Sequence, residues 1–143
     1  MQVEDRAQLL AAGSAAQLAS GVAGMVLALR RRHPYDVFWM HGQAEQMARD
    51  ILFRGTALSA PVSNLVLQAA LTAVVAARPS RRAQQALGAL GALLVPGYLG
   101  ERLVRQRLGR SGWERLESPL LVVVIGLAVA MAALGLGGSR RTT

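Results

Sequence analysis

Cysteine and lysine are absent from this chain of 143 residues, and aromatic, acidic and histidine residues are few. Without a thiol, disulfide frameworks, thiolate nucleophiles and cysteine-based metal sites are excluded. The two histidines are too few for a histidine-rich iron site, so we predict no metal and no cofactor. The sequence also lacks a phosphate-binding GxxxxGK[ST] loop, a dinucleotide-binding GxGxxG turn and the HExxH and GxSxG motifs of hydrolases.

The positive charge of the chain is carried entirely by arginine. Sixteen basic residues against eight acidic ones give a formal net charge of +8. The arginines lie between apolar runs and form no single polar patch, which favours contact with anionic lipid head groups over nucleic-acid binding. We therefore predict membrane lipids as partners and no nucleic acid. The exclusive use of arginine is also typical of GC-rich bacterial genomes.

Four stretches of the chain carry no charged side chain, and each is long enough to cross a bilayer as a helix. The last of them contains an apolar run from Pro119 to Gly138 without any charged, amide or hydroxyl side chain. We predict an all-α polytopic membrane protein, a four-transmembrane-helix bundle that forms one domain over residues 1–143. The predicted spans are 7–29, 57–77, 83–100 and 119–138.

The longest polar connection, residues 36–54, predicts an amphipathic helix on the membrane surface between the first two spans. Asp36 can cap its start. Phe38 and Trp39 are expected at head-group depth. At about 100° per residue its apolar residues fall on one side of a helical wheel. They are Val37, Met40, Ala44, Met47, Ala48 and Ile51.

Two further patterns predict how the spans are shaped and packed. Pro96 and Gly97 should kink or break the third span, which then continues as a helix over 101–108 with an ion pair between Glu101 and Arg105. Small residues recur along the first and fourth spans, where they allow helix backbones to approach closely. Gly126 and Ala130 are the predicted small-residue face of the fourth span.

The first candidate site lies on the predicted surface helix. A spacing of four places His41, Glu45 and Arg49 along one stripe that borders its apolar face. Histidine titrates near neutrality and a half-buried glutamate can be shifted toward it, so His41 and Glu45 could exchange a proton with a lipid-like substrate. The alternative is a solvated rim in which Glu45 pairs with its two neighbours.

The second candidate site lies on the second span. Asn64, Gln68 and Thr72 recur every four residues and form a polar stripe, which should face protein or a wet cavity and not lipid. These side chains could bind a ligand, with Tyr98 and Glu101 at the mouth of the cavity. The alternative is hydrogen bonding to a neighbouring helix.

The leading functional hypothesis is a small bacterial integral membrane protein that binds a lipophilic ligand, a partner membrane protein or a second copy of itself. A lipid-modifying enzyme that uses His41 and Glu45 is the alternative, and a small transporter is the third. Ten arginines in the first and third loops against six on the other side favour the cell inner membrane with both termini outside the cytoplasm.

Overall fold

The computed structural model describes residues 2–34, 36–37, 40–46, 49, 52–56 and 58–137. In this part of the chain the fold is all-α, with a pair of very short strands in one connection. Five α-helices form a bundle. They are α1 (Val3–Arg31), α2 (Val62–Ala77), α3 (Arg81–Gly100), α4 (Arg102–Leu108) and α5 (Glu117–Leu136).

Among the described helices, two are long and apolar enough to cross a membrane, namely α1 from Glu4 to Arg31 and α5. Their bounds lie close to the predicted spans 7–29 and 119–138. The helix α2 has only 16 residues, fewer than the predicted span 57–77, because the chain turns at Thr56 and Ser59 before the helix begins. The helix α3 has 20 residues, but arginine and glutamine side chains occupy its first turns.

The connection between α1 and α2 differs from the prediction. Over 36–46 it forms two antiparallel strands, β1 (Asp36–Val37) and β2 (Met40–His41), followed by a 3₁₀ turn (Ala44–Gln46). The predicted surface helix is therefore wrong over this range. Its remaining apolar positions Met47, Ala48 and Ile51 lie outside the described residues, as do Phe38 and Trp39.

A long-range contact holds the start of β1 against the junction between α3 and α4. The backbone N–H of Asp36 donates to both carboxylate oxygens of Glu101, at 2.9 and 3.2 Å. Asp36 and Glu101 are 65 residues apart in the chain. A helical wheel weighs only local periodicity, so it cannot register this contact.

The break between α3 and α4 falls later than predicted. The helix α3 passes through Pro96 and ends at Gly100, and Glu101 then takes an extended conformation with ψ 129°. Arg105 donates to the carbonyl of Leu99 at 2.9 Å and to that of Gly100, so it satisfies the end of α3. The positive charge of Arg105 also acts on Glu101, and the predicted helical continuation is present as α4.

The tightest helix contact joins α3 to α5. A Cβ atom built on Gly88 would lie 2.6 Å from the Cα of Gly135, so the two backbones touch. The predicted small-residue face of the last helix is not this one. A Cβ on Gly126 meets nothing within 4 Å, and Ala130 is only half-buried, whereas Ala128 is fully buried.

Charged side chains link neighbouring helices at both ends of the bundle. Glu117 has no exposed surface, and its carboxylate accepts from Arg31 at 2.7 Å and from Arg107 at 2.5 Å, with His33 Nε2 3.1 Å away. This Glu117 cluster links α1, α4 and α5. At the opposite end of α1, Arg6 donates to the carbonyl of Leu134 at 2.6 Å.

Candidate ligand-binding cavity

A cavity of about 350 Å³ lies between the N-terminal half of α2, the C-terminal half of α3 and the turn at 54–61. Its volume is at the small end of the range found for ligand pockets. Most of its wall is apolar, from Pro61, Leu67, Leu90, Leu93 and Leu94. The polar part of the wall is provided by Arg54, Thr56, Ser59, Asn64, Tyr98 and Glu101.

One buried hydroxyl group in this wall, that of Thr56, has no hydrogen-bond partner among the described residues, and Thr56 is 3% exposed. The hydroxyl of Tyr98 is buried as well, but it points toward α1 and lies beside the backbone of Ala60 and the side chain of Gln17 as hydrogen-bond partners. An unpaired buried hydroxyl costs on the order of 1–3 kcal/mol, and such groups are uncommon in native structures. Thr56 lines the cavity, so a bound molecule with a polar atom at this point would satisfy its hydroxyl.

Glu101 is the acidic residue of the cavity wall and is 5% exposed. Burial raises the pKa of its carboxyl group to about 7, and the negative charge of Asp36 adds to the rise. The N–H of Asp36 and the positive charge of Arg105 act in the opposite direction.

The charged groups around Glu101 are directed to other partners. Asp36 forms an ion pair with His41 at 3.2 Å and lies 3.9 Å from Arg102. Arg105 is bound to the carbonyls at the end of α3. Glu101 therefore faces the cavity with its carboxylate held by a single backbone N–H.

The rim of the cavity is apolar and open to the outside of the bundle. Leu67 on α2 and Leu93 on α3 both line the cavity, yet they are 50% and 70% exposed. The cavity thus runs from a polar inner end, at Glu101 and Tyr98, to an apolar opening between two helices. This is the gradient of polarity that an amphiphilic molecule has along its own length.

The predicted polar stripe of α2 is divided between two locations. Gln68 is buried against α1, where its Nε2 lies 2.7 Å from Gln17 Oε1 and 3.1 Å from Ser14 Oγ. Thr72 also contacts Ser14, at 2.7 Å between the hydroxyl oxygens. Gln68 and Thr72 thus form the interhelical hydrogen bonds of the second interpretation. Asn64 lines the cavity with Tyr98 and Glu101, as in the first interpretation, but Tyr98 and Glu101 are buried and do not lie at its mouth.

The predicted stripe of His41, Glu45 and Arg49 is not formed, because β2 and the 3₁₀ turn replace the helix that would align them. His41 is 64% exposed and pairs with Asp36, and Glu45 is exposed on the 3₁₀ turn. Arg49 lines a separate shallow depression beside Leu52 and Phe53. None of the three lines the cavity between α2 and α3.

Sequence reasoning missed Thr56 and Ser59. Gly55 adopts a φ of +80°, and a turn over 55–60 brings both hydroxyls to the cavity. The segment GTALSAP contains the turn formers glycine, threonine, serine and proline, which could have moved the start of the predicted span from residue 57 to a later position. Among the described residues, no three His, Asp or Glu side chains converge as metal ligands would.

Comparisons of the chain with protein-family models, with curated proteins and with solved structures find no match. The function of the cavity therefore has to be argued from its geometry and chemistry.

Proposed function

We propose that this chain is a small integral membrane protein that binds a single-chain amphiphile in the cavity between α2 and α3. The observation that carries the proposal is the unpartnered buried hydroxyl of Thr56 in a cavity whose wall is mostly apolar. A polar head group at that point would restore its hydrogen bond, while an alkyl chain would lie along the leucines toward the opening.

The distribution of polarity supports membrane insertion. In the most apolar 18-residue window of each of α1 and α5, only 28% of the residues are buried, whereas a core helix of a soluble protein is mostly buried. The interior instead holds polar groups such as Ser14, Gln17 and Gln68. Large apolar side chains are exposed on all four long helices: Leu9, Val22 and Val26 on α1, Val66 and Val74 on α2, Leu93 and Leu99 on α3, and Val122, Val123 and Val129 on α5.

The membrane arrangement that we propose has four spans in an inner membrane, with α2 and α3 as a short hairpin between α1 and α5. Residues of the turn at 54–61 would lengthen the α2 side of that hairpin toward the interface. The excess of arginine at the end of the bundle that carries α4 favours placing that end in the cytoplasm. The polar inner end of the cavity, at Glu101, would then lie near the cytoplasmic head groups.

Gly97 provides a direct test of amphiphile binding. It lines the cavity, and a Cβ there meets nothing within 4 Å, so Gly97→Leu adds a side chain in the cavity wall from a position with open space. Gly126→Leu is the matched control, because Gly126 is equally open but lies on α5 outside the cavity. Monododecanoylglycerol, an uncharged single-chain amphiphile, would be titrated into each purified protein and its complexes counted by native mass spectrometry.

We expect one tightly bound molecule per chain for the unmodified protein and for Gly126→Leu. For Gly97→Leu we expect at least about tenfold weaker binding, which corresponds to about 1.4 kcal/mol. Equal binding by all three proteins would mean that the amphiphile attaches to the outer surface, and the proposal would fail. The hypotheses of a protein partner and of His41–Glu45 catalysis gain no support from this cavity.

A further inference from the structure

We infer that the cavity selects amphiphiles with a primary ammonium head group, and that Glu101 is the counter-ion that recognises it. The inference rests on the proposed function, since it assigns the head group of the molecule that the cavity would bind. It starts from the position of Glu101, a nearly fully buried acid in the wall of the cavity, at the end opposite the apolar rim.

The wall of the cavity offers acceptors for an ammonium group. Glu101 receives one backbone N–H, from Asp36, and a carboxylate has capacity for further donors. The hydroxyl oxygen of Thr56, in the same wall, has no partner among the described residues. A primary ammonium carries three N–H donors and no acceptor, so it can donate to both groups.

Other head groups fit this end less well. A carboxylate or phosphate would stand beside the buried acid of Glu101, and like charges at short range repel each other. An uncharged alcohol would satisfy Thr56 but would leave Glu101 without a cation. Hydrogen bonds that involve ionised groups are roughly twice as strong as neutral ones, so the ammonium gains the larger benefit.

Positive side chains near Glu101 also bind other groups. Arg102 and His41 are directed toward Asp36, and Arg105 donates to carbonyl groups at the end of α3 while its charge also acts on Glu101. Arg54 belongs to the cavity wall, but its side chain is exposed. The net charge of +8 would by itself attract anions, so a preference for a cation could not arise from the overall field of the protein.

The test compares dodecylamine, 1-dodecanol and dodecanoate, which share one chain and differ in charge. Each would be titrated into the full-length protein in maltoside micelles, with complexes counted by native mass spectrometry. The variant is Glu101→Gln, and the matched control is Glu45→Gln, which makes the same charge change at an exposed site outside the cavity. We expect dodecylamine to bind about tenfold more tightly than dodecanol to the unmodified protein and to Glu45→Gln.

In Glu101→Gln we expect the preference for the amine to disappear while dodecanol still binds. A second measurement needs no variant. Dodecylamine binding to the unmodified protein should strengthen about tenfold from pH 6 to pH 8, as the ionised fraction of a group with a pKa of about 7 rises. An alkyl amine stays protonated over this range.

The outcomes separate this inference from the proposed function. If dodecanol binds as tightly as dodecylamine, or if dodecanoate binds most tightly, Glu101 is not the counter-ion, although the cavity still binds amphiphiles. A flat pH profile would overturn the inference in the same way. If none of the three molecules binds, the proposed function itself fails.

Discussion

The contact between Gly88 and Gly135 allows a sharp prediction about how the bundle is held together. Changing Gly88→Ala adds one methyl group, which would lie 2.6 to 2.9 Å from three backbone atoms of α5. Backbone atoms cannot rotate away as a side chain can, so α3 and α5 must separate. Overpacking of this kind costs typically 1–3 kcal/mol, and a contact with backbone alone belongs near the upper end.

An opposing effect reduces the net cost. Alanine is favoured over glycine in a helix by about 0.8–1 kcal/mol, and Gly88 lies in the middle of α3. The expected net loss is therefore about 2 kcal/mol of unfolding free energy. Gly126→Ala is the control, because its new methyl group meets nothing within 4 Å and only the helix-propensity gain remains. The two variants should differ by about 3 kcal/mol in opposite directions from the unmodified protein.

The assay is equilibrium unfolding in mixed micelles with a rising mole fraction of sodium dodecyl sulfate, followed by far-ultraviolet circular dichroism. Both glycines are in long helices, so any general effect of a methyl group on helix content appears in both variants. If Gly88→Ala and Gly126→Ala shift the unfolding midpoint in the same direction and by the same amount, the backbones of α3 and α5 are not in contact.

Three further predictions concern buried polar groups, each read out in the same unfolding assay. Glu117→Gln should lower the free energy of unfolding by about 3 kcal/mol. This is the low end for breaking a buried ion pair, because both guanidinium partners keep some solvent exposure. An unchanged unfolding midpoint would mean that the cluster does not contribute to stability. Gln68→Ala should cost about 1 kcal/mol through lost bonds to α1, and an unchanged midpoint would refute that role. The pKa of Glu101 is raised from 4.5 to about 7, so the folded state holds the proton more tightly than the unfolded state does. The free energy of unfolding should therefore fall as pH rises from 4.5 to 7, by about 2 kcal/mol after allowance for screening. Glu101→Gln should remove that part of the pH dependence, and identical pH profiles would contradict it.

The two helices that meet the criteria for crossing a membrane are the ones that the sequence predicts best. The span predicted at 119–138 is present as α5, and the span predicted at 7–29 lies within α1. A long apolar run is a local property, and it forces a helix in any apolar solvent because each backbone group must be satisfied within the segment. Where polar side chains interrupt the apolar run, as at the start of α3, the length of a span is harder to infer.

The cavity could be predicted only in part. The polar stripe of α2 predicted Asn64 in the wall, with Tyr98 and Glu101 at the mouth, but both of these residues are buried in the structure. Thr56 lies in a turn ahead of α2, and no periodic pattern records that it reaches the cavity. The same limit applies to Asp36, whose N–H donates to a carboxylate 65 residues away.

The pairing of α1 with α5 has a consequence for biosynthesis. Arg6 and its acceptor Leu134 are 128 residues apart, and ribosomes add about 5–20 residues per second, so α1 waits roughly ten seconds for its permanent neighbour. Throughout that interval the guanidinium of Arg6 lacks its acceptor, whereas Ser14 and Gln17 already have their partners Thr72 and Gln68 on α2. A nascent chain stalled before α5 would therefore expose the unpaired charge of Arg6 beside an otherwise paired α1–α2 interface.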